Sequence, residues 1–243
     1  MRVVISQSML FPWVGLLEQV RLADVFVHYD DVQFSKGSFV NRVQLKLAQG
    51  PRWLSVPLPG LRLGQRIDQV ALPPAPDWVP RHLDLIERAL DGAPFLADAL
   101  ALARDVYAAD DRHLGPLARR SLLVLSDYFG LQAGRRFVDV TALAVGGSGS
   151  QRVLDVVKAV GGTTYVTGHG AANYLDHEAF ERAGVAVEYM RYARVPYPQL
   201  HGAFTPYVSG LDLVANCGRA GARYIQSPSV PWREFLDESA RTV

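Results

Sequence analysis

Charged and amide side chains follow an apolar run in the stretch VFVHYDDVQFSKGSFVNR, residues 25–42. Its adjacent carboxylates, Asp30 and Asp31, can offer oxygen ligands or raise one another's pKa. Because consecutive residues of an extended segment point to opposite faces, only one of them can face a given ligand. We take Asp31 as that residue and as a candidate proton acceptor. The structural alternative is a turn-stabilising carboxylate or one that pairs with Arg42.

The same stretch carries groups that bind anions. Lys36, Asn41 and Arg42 can hold a phosphate or carboxylate, and an arginine does so in a bidentate way. With Tyr29 and Gln33, they predict the anion-binding wall of a site rather than a solvated loop.

His169 lies between two glycines, after the apolar segment TTYVTG. Such a position exposes an imidazole and lets a ligand approach the backbone. His169 is therefore the general acid or base candidate, and a surface histidine is the structural alternative.

Cys217 is the single cysteine of the chain. Beside His169 or His201 it could serve as a thiol nucleophile. Its setting, LDLVANCGR, predicts the last turn of a helix that ends at Gly218. Because the negative end of a helix dipole raises the pKa of a thiol, we favour a core cysteine over a catalytic one.

Further polar and aromatic candidates lie in the first loop and near the C-terminus. Asp212 and Asn216 are four residues apart and can point together into a cleft. Trp13 can stack on a ring, while Trp53, Trp78 and Trp232 are expected in the core. The remaining candidates for substrate binding are Gln7, Tyr197, Gln199 and His201.

The pattern of apolar residues predicts the elements that position these groups. A strand at 2–6, a helix at 14–23 and a strand at 24–29 form a β-α-β unit, and strand and helix patterns alternate again after Gly130. A hairpin is expected within 43–58 and a helical insertion at about 76–130. The expected fold is one α/β domain over residues 1–243 with a mainly parallel sheet.

The candidate residues fall in the loops that follow the predicted strands. Ligands of open α/β sheets bind at the carboxyl ends of strands. We therefore expect residues 1–42 and 165–217 to come together in space, although they are far apart in the chain.

Composition restricts the class of protein. A net charge of +1 over 243 residues offers no footprint for nucleic acid. No apolar run is long enough to span a membrane, and the N-terminus lacks the pattern of a signal peptide. A single cysteine excludes an internal disulfide, and no histidine spacing indicates a metal site. A cytoplasmic enzyme or binding protein is expected.

The ordered motifs resemble the WbqC-like family. The resemblance is carried by SQSMLFPWVGLLEQVRLADVFVHYDDVQFSKGSFVNR, then WLSVPL, YVTGHGAANYLD and YPQLHGAFTPYVSGLDLVANCG. It implies a role in building O-antigen or a related glycan, including acyl or aminoacyl transfer to an amino sugar. On that expectation Tyr197, Gln199 and His201 suit hydrogen bonding to sugar hydroxyls.

The first β-α-β unit is also similar to nucleotidyltransferase-like α/β domains, so the expected fold class is nucleotidyltransferase-like or Rossmann-like. Those domains bind triphosphate through two histidines at the start of the first helix. The corresponding residues, Trp13 to Leu16, contain none.

Three hypotheses follow. The first is a transferase whose small-molecule substrate is a sugar nucleotide, an acyl-CoA or a carrier-protein thioester. The second is a nucleotide-dependent ligase, against which the missing histidines argue. The third is a non-catalytic binding or assembly protein. Cofactor and oligomeric state are not predicted.

Overall fold

A six-stranded sheet forms the centre of the computed structural model, which describes residues 1–109 and 111–241. The strand order is β5-β2-β1-β6-β7-β8, where the first five strands are parallel and β8 is antiparallel. Their bounds are β1 Arg2–Ser6, β2 Val25–His28, β5 Arg136–Asp139, β6 Thr164–Thr167, β7 Ala186–Met190 and β8 Ser229–Pro231. The prediction of an α/β fold with a mainly parallel sheet is confirmed.

Helices cover both faces of this sheet. The bounds are α1 Val14–Leu22, α2 Val79–Leu90, α3 Leu96–Ala108, α4 Leu114–Tyr128, α5 Gly149–Ala159, α6 His177–Arg182, α7 Gly210–Cys217 and α8 Trp232–Arg241. Alternate residues of β1 enter two different cores. Val4 packs with α1, α4 and α7, whereas Val3 and Ile5 pack with α5 and α6.

The predicted helical insertion consists of α2, α3 and α4, and it shares its core cluster with α1 and Val4 of the sheet. The predicted hairpin is β3 (Arg42–Leu47) paired with β4 (Gly50–Ser55). Strand β8, Ser229–Pro231, is not among the predicted strands, because three residues that include a proline show no alternation. No described helix is long and apolar enough to cross a membrane.

The two predicted site segments are in contact. Strand β1 pairs with β6, and Trp13 forms a β-bridge with Ser209. The Gly210 N–H donates to the Pro12 carbonyl at 2.8 Å. A Cβ at Gly210 would lie 2.9 Å from that same carbonyl oxygen, so only glycine permits this approach.

Lys46 fixes the segment between β7 and α7. Its buried ammonium donates to the carbonyls of Gly202 and Ala203 at 3.1 and 2.6 Å and lies 3.3 Å from Gln199 Oε1. A buried lysine with three acceptors is satisfied. It therefore determines where this segment passes over the strand ends.

Asp212 is the buried carboxylate beside Lys46 and is 2% exposed. Burial raises its pKa to about 6, against the opposing effects of the Tyr197 hydroxyl and the Lys46 ammonium. No hydrogen bond of ordinary geometry joins Asp212 Oδ1 or the Tyr197 hydroxyl to a described residue. The charged carboxylate is therefore incompletely satisfied in the folded state.

The junction at Gly210 leads to a first prediction. Gly210→Ala should lower the free energy of unfolding by about 2 kcal/mol, because the added methyl collides with a carbonyl oxygen that has no room to move. Gly60→Ala, where a Cβ meets nothing within 4 Å, is the matched control and should change stability by less than about 0.5 kcal/mol. Urea denaturation measures both, and equal stabilities would contradict the close approach.

The raised pKa of Asp212 leads to a second prediction. The folded state holds this proton up to about pH 6, above the ordinary pKa of 3.8, so wild-type stability is lost as pH rises through that window. Asp212→Asn removes the effect. The stability of the variant relative to wild type should therefore increase by roughly 2 kcal/mol between pH 4 and pH 7. Asp84→Asn, at an exposed carboxylate, is the matched control, and a pH dependence that this variant removes as well would contradict the assignment to Asp212.

Candidate functional site

The chain reverses its direction of travel across the sheet at β1. From β1 it proceeds through α1 to β2 on one side, whereas β6 lies on the other side. Ligands of open α/β sheets bind at such a switch point, beyond the carboxyl ends of the strands. Ser6, His28, Asp139, Thr167 and Met190 end the parallel strands and define this edge.

Asp30 is buried at the end of β2 and is fully hydrogen-bonded. Its carboxylate accepts from the Ser8 N–H and Oγ, both at 2.8 Å, and from Arg119 at 3.1 Å. Arg119 also donates to Asp139 at 2.6 Å. Burial raises the pKa of Asp30, although the hydrogen bonds from Ser8 and Arg119 oppose that rise. Burial would also raise the pKa of Asp139, but Arg119 and Thr141 outweigh it and lower that pKa.

His28 belongs to this cluster and has a structural role. Ser8 Oγ gives its hydrogen to Asp30 and so accepts from His28 Nδ1 at 3.0 Å. Burial, followed by the Arg119 charge, lowers the pKa of His28 to about 3. The ring is therefore neutral near pH 7. Ser8 is fully buried and cannot reach a substrate as a nucleophile.

Asp31 points away from that cluster and meets Arg152 of α5. The Arg152 guanidinium donates to Asp31 Oδ2 and lies 4.9 Å from the centre of the Tyr29 ring. The hydrogen bond that Arg152 donates to Asp31 raises the pKa of Arg152. Asp31 Oδ1 has no partner among the described residues. One carboxylate oxygen is thus held by arginine, while the other is buried without a hydrogen-bond partner in the described part of the chain.

Arg42 does not pair with Asp31. It lies 4.1 Å from the Trp53 ring and donates to the Gly37 carbonyl, so it stabilises the loop before β3. Asn41 likewise donates to the Val56 carbonyl at 3.0 Å. The pairing of Asp31 with Arg42 is wrong, because Arg152 occupies that place.

Two other polar residues of the predicted wall are exposed. Lys36 and Gln33 face solvent, and the backbone of Gln33 forms a bridge with Arg66. Trp53 is 40% exposed, so its expected place in the core is wrong, whereas Trp78 is 5% exposed and in the core.

His169 follows β6 on the same edge and its ring is exposed. Its Nε2 lies 2.7 Å from the Met190 carbonyl, which can only accept a hydrogen bond. Nε2 therefore carries the hydrogen and Nδ1 the lone pair in the neutral ring. The ring also contacts Tyr192 and Phe235, with centroids 5.2 and 4.8 Å apart.

Trp13 in the loop after β1 contacts Tyr192 and Tyr207, with ring centroids 5.1 and 5.4 Å apart. Gln7, in the same loop, is half-buried. The structure thus brings Gln7, Trp13, Tyr29, Asp31 and His169 to one edge of the sheet.

The remaining predicted residues lie in the packed segment around α7. Gln199 contacts Lys46, and Tyr197 and Asp212 are buried. His201 Nε2 is 3.0 Å from the Ala89 carbonyl at the end of α2. Asn216 donates to the Asp212 carbonyl at 2.8 Å. These contacts position the segment.

Cys217 ends α7, and Gly218 caps the helix with φ +56° as expected. The thiol is half-buried, and burial raises its pKa. A thiol with a raised pKa is a poor nucleophile near pH 7.

Two of the cavities away from the strand ends are large enough for a small molecule. One of about 440 Å³ lies between α3 and α4 and reaches Arg119, and one of about 700 Å³ lies beside β4, Trp53 and His82. Among the described residues, no group of three metal-ligating side chains is close enough to hold an ion.

Comparison with known proteins agrees with this architecture. The profile of the WbqC-like protein family matches residues 7–224. An uncharacterized protein of Mycobacterium tuberculosis, Rv1507c, is 28% identical over 228 residues, covering 93% of this chain and 97% of the relative. No solved structure matches. Because the family profile spans the β1 loop, the Asp30–Asp31 segment, His169 and α7, this chain belongs to the WbqC-like protein family.

Proposed function

We propose that this protein is a transferase of glycan or related secondary-metabolite biosynthesis. It moves an acyl or aminoacyl group onto an amine or hydroxyl of a nucleotide- or carrier-linked substrate. The observation that carries the proposal is the exposed His169 ring, held at Nε2 by a backbone carbonyl at the switch-point edge of the sheet.

His169 is the proton acceptor of this mechanism. Its Nδ1 lone pair takes a proton from the acceptor amine or hydroxyl while that group attacks the acyl carbon. The bond from the acyl carbon to its thiolate or phosphate leaving group then breaks. The carbonyl of Met190 prevents the ring from turning to present the other nitrogen.

Asp31 binds the acceptor substrate. Arg152 holds Oδ2, and the buried, unpartnered Oδ1 would accept a hydrogen bond from a substrate hydroxyl or ammonium that enters against it. Asp31 follows β2 and His169 follows β6, on either side of β1. Strands β2 and β6 are two strand spacings apart, about 10 Å, a distance that a monosaccharide with its linkage can span.

Lys36 is the anion-binding group that we retain from the predicted wall. Its ammonium is exposed beyond the end of β2 and suits a phosphate of the substrate. Arg42 is assigned to loop stability, because its guanidinium is held by Trp53 and Gly37.

A non-catalytic ligand-binding protein is the second candidate. The cavity beside β4 favours it, since about 700 Å³ is enough for a small molecule and no residue of the proposed mechanism lines that cavity. A nucleotide-dependent ligase has less support because Trp13 to Leu16 contain no histidine.

A product assay separates these candidates. The purified protein is incubated with amino sugar nucleotides and either acetyl-CoA or an amino acid with ATP, and products are identified by mass spectrometry. An acylated sugar formed with acetyl-CoA alone supports the transferase. A product that requires ATP supports the ligase, and binding without any product supports the binding protein.

His169 provides a third prediction. His169→Ala should reduce kcat by about 100-fold to 10,000-fold, because the acceptor loses its base. His113→Ala removes an exposed histidine at the start of α4 and should leave kcat unchanged. Steady-state kinetics with the substrate found above measures both. A His169→Ala enzyme with wild-type kcat would exclude this residue as the base.

The Asp31–Arg152 pair provides a fourth prediction. Both side chains are largely buried, so Arg152→Gln leaves an unpaired carboxylate and should cost about 3 kcal/mol of stability. Asp31→Asn added to Arg152→Gln should recover part of that loss, because the unpaired charge is gone.

Arg42→Gln serves as the control for this cycle. Its effect should add to that of Asp31→Asn without coupling, since Arg42 contacts Trp53 instead. Urea denaturation of the single and double variants gives the coupling energies. Coupling of Asp31 to Arg42 instead of Arg152 would overturn the assignment.

A further inference from the structure

A row of aromatic rings runs across the carboxyl edge of the sheet. Tyr207 contacts Trp13 at 5.4 Å, Trp13 contacts Tyr192 at 5.1 Å, and Tyr192 contacts His169 at 5.2 Å between ring centroids. These four rings, here called the aromatic row, come from three different segments of the chain, after β1, after β6 and between β7 and α7. The row ends at His169, the proposed proton acceptor.

Neighbouring groups hold the rings of this row. The Trp13 indole lies over Gly15, where a Cβ would come within 2.2 Å of a ring carbon. The Tyr192 hydroxyl accepts from Gln19 Nε2 at 2.7 Å and lies 2.8 Å from the position of a Cβ at Gly168. The aromatic row is thus a preorganised surface, which lowers the cost of binding a ring.

Arg194 adds a positive charge at the far end of the row. The Arg194 guanidinium lies 5.4 Å from the centre of the Tyr207 ring, and Arg194 is exposed. No salt bridge among the described residues involves Arg194. Glu18, which lines the same narrow crevice, is buried and accepts from the Ser227 N–H at 3.2 Å. The guanidinium is therefore available to an anion.

We infer that the aromatic row and Arg194 form a subsite for a ring that carries a phosphate. The apolar face of a sugar or nucleobase packs on Trp13 and Tyr207, and Arg194 binds the phosphate. Two ring-to-ring steps, of 5.1 and 5.2 Å, then separate the bound ring from His169. This inference rests on the proposed function, because it names the substrate class of the same site and takes His169 as the base that acts on the bound substrate.

Sugar phosphates and nucleotides share this chemistry, and direct binding distinguishes them. The probes are glucose 1-phosphate, UMP and AMP, with glucose, uridine and inorganic phosphate as the matching fragments. Isothermal titration calorimetry gives affinity, and tryptophan fluorescence reports contact with Trp13. At least one phosphorylated probe should bind about ten-fold or more tightly than its fragments.

Variants test the named groups. Trp13→Phe should abolish the fluorescence change, whereas Trp53→Phe, at an exposed tryptophan of β4, should keep it. Arg194→Gln should weaken binding of the phosphorylated probe by about ten-fold or more and leave binding of the uncharged fragment unchanged. Arg62→Gln, at another exposed arginine, should weaken neither.

The outcomes separate the subsite from the transferase. Tighter binding of a nucleotide identifies the nucleobase as the ring, and tighter binding of glucose 1-phosphate identifies the sugar. If His169→Ala still binds the probe, the subsite is supported even when no group transfer is detected. No binding of any probe, or binding insensitive to both Trp13→Phe and Arg194→Gln, would overturn the subsite even if transfer were found.

Discussion

The buried Asp30 carboxylate joins the elements that surround the site. It binds the loop after β1 through both the backbone and side chain of Ser8, and it binds α4 through Arg119. Arg119 extends the connection to Asp139 at the end of β5. A buried carboxylate is costly unless every oxygen is hydrogen-bonded, and both oxygens of Asp30 are. The ends of β1, β2 and β5 are therefore fixed relative to one another.

The alternation of an extended chain separates the two adjacent carboxylates onto opposite faces of the sheet. Asp30 meets Arg119 of α4 on the face that α1 covers, whereas Asp31 meets Arg152 of α5 on the other. Each aspartate pairs with an arginine, but the two differ in how many of their carboxylate oxygens have a hydrogen-bond partner. Asp30 is saturated, while Asp31 keeps Oδ1 without a partner. A buried carboxylate oxygen without a partner can gain a hydrogen bond from a ligand, whereas a saturated carboxylate cannot.

The sequence was sufficient to predict the regular helices and strands and to place the candidate site at the carboxyl ends of the parallel strands. Alternation in β1 and β2 and helical spacing in α1 predicted which loops would share the carboxyl end. It was not sufficient for partners that come from distant helices. Arg152 is in the first turn of α5, and because the helix of a β-α-β unit begins near the carboxyl edge, its position was a readable signal. Arg119 lies in the second turn of α4, with no comparable signal.

The alternative in which Asp31 pairs with Arg42 rested on proximity in sequence, and it is wrong because Asp31 pairs with Arg152. The hairpin turns Arg42 toward Trp53, and register within β3 decides that direction. Tyr192, Arg194 and Tyr207 were not predicted as site residues. They lie in the irregular segment between β7 and α7, where no helix or strand periodicity indicates which side chains face the site.

Rigid support and exposed recognition groups come from different parts of this chain. Strand ends carry Asp31 and His169, whereas Arg194 and Tyr207 are on the irregular segment between β7 and α7. Irregular backbone is usually mobile unless it is bonded elsewhere. Here Lys46 binds the carbonyls of Gly202 and Ala203 within this segment. The hydrogen bond from Gly210 to Pro12 fixes its C-terminal end. The buried lysine therefore supports recognition indirectly, because its three acceptors fix the path on which the exposed arginine and tyrosine are carried.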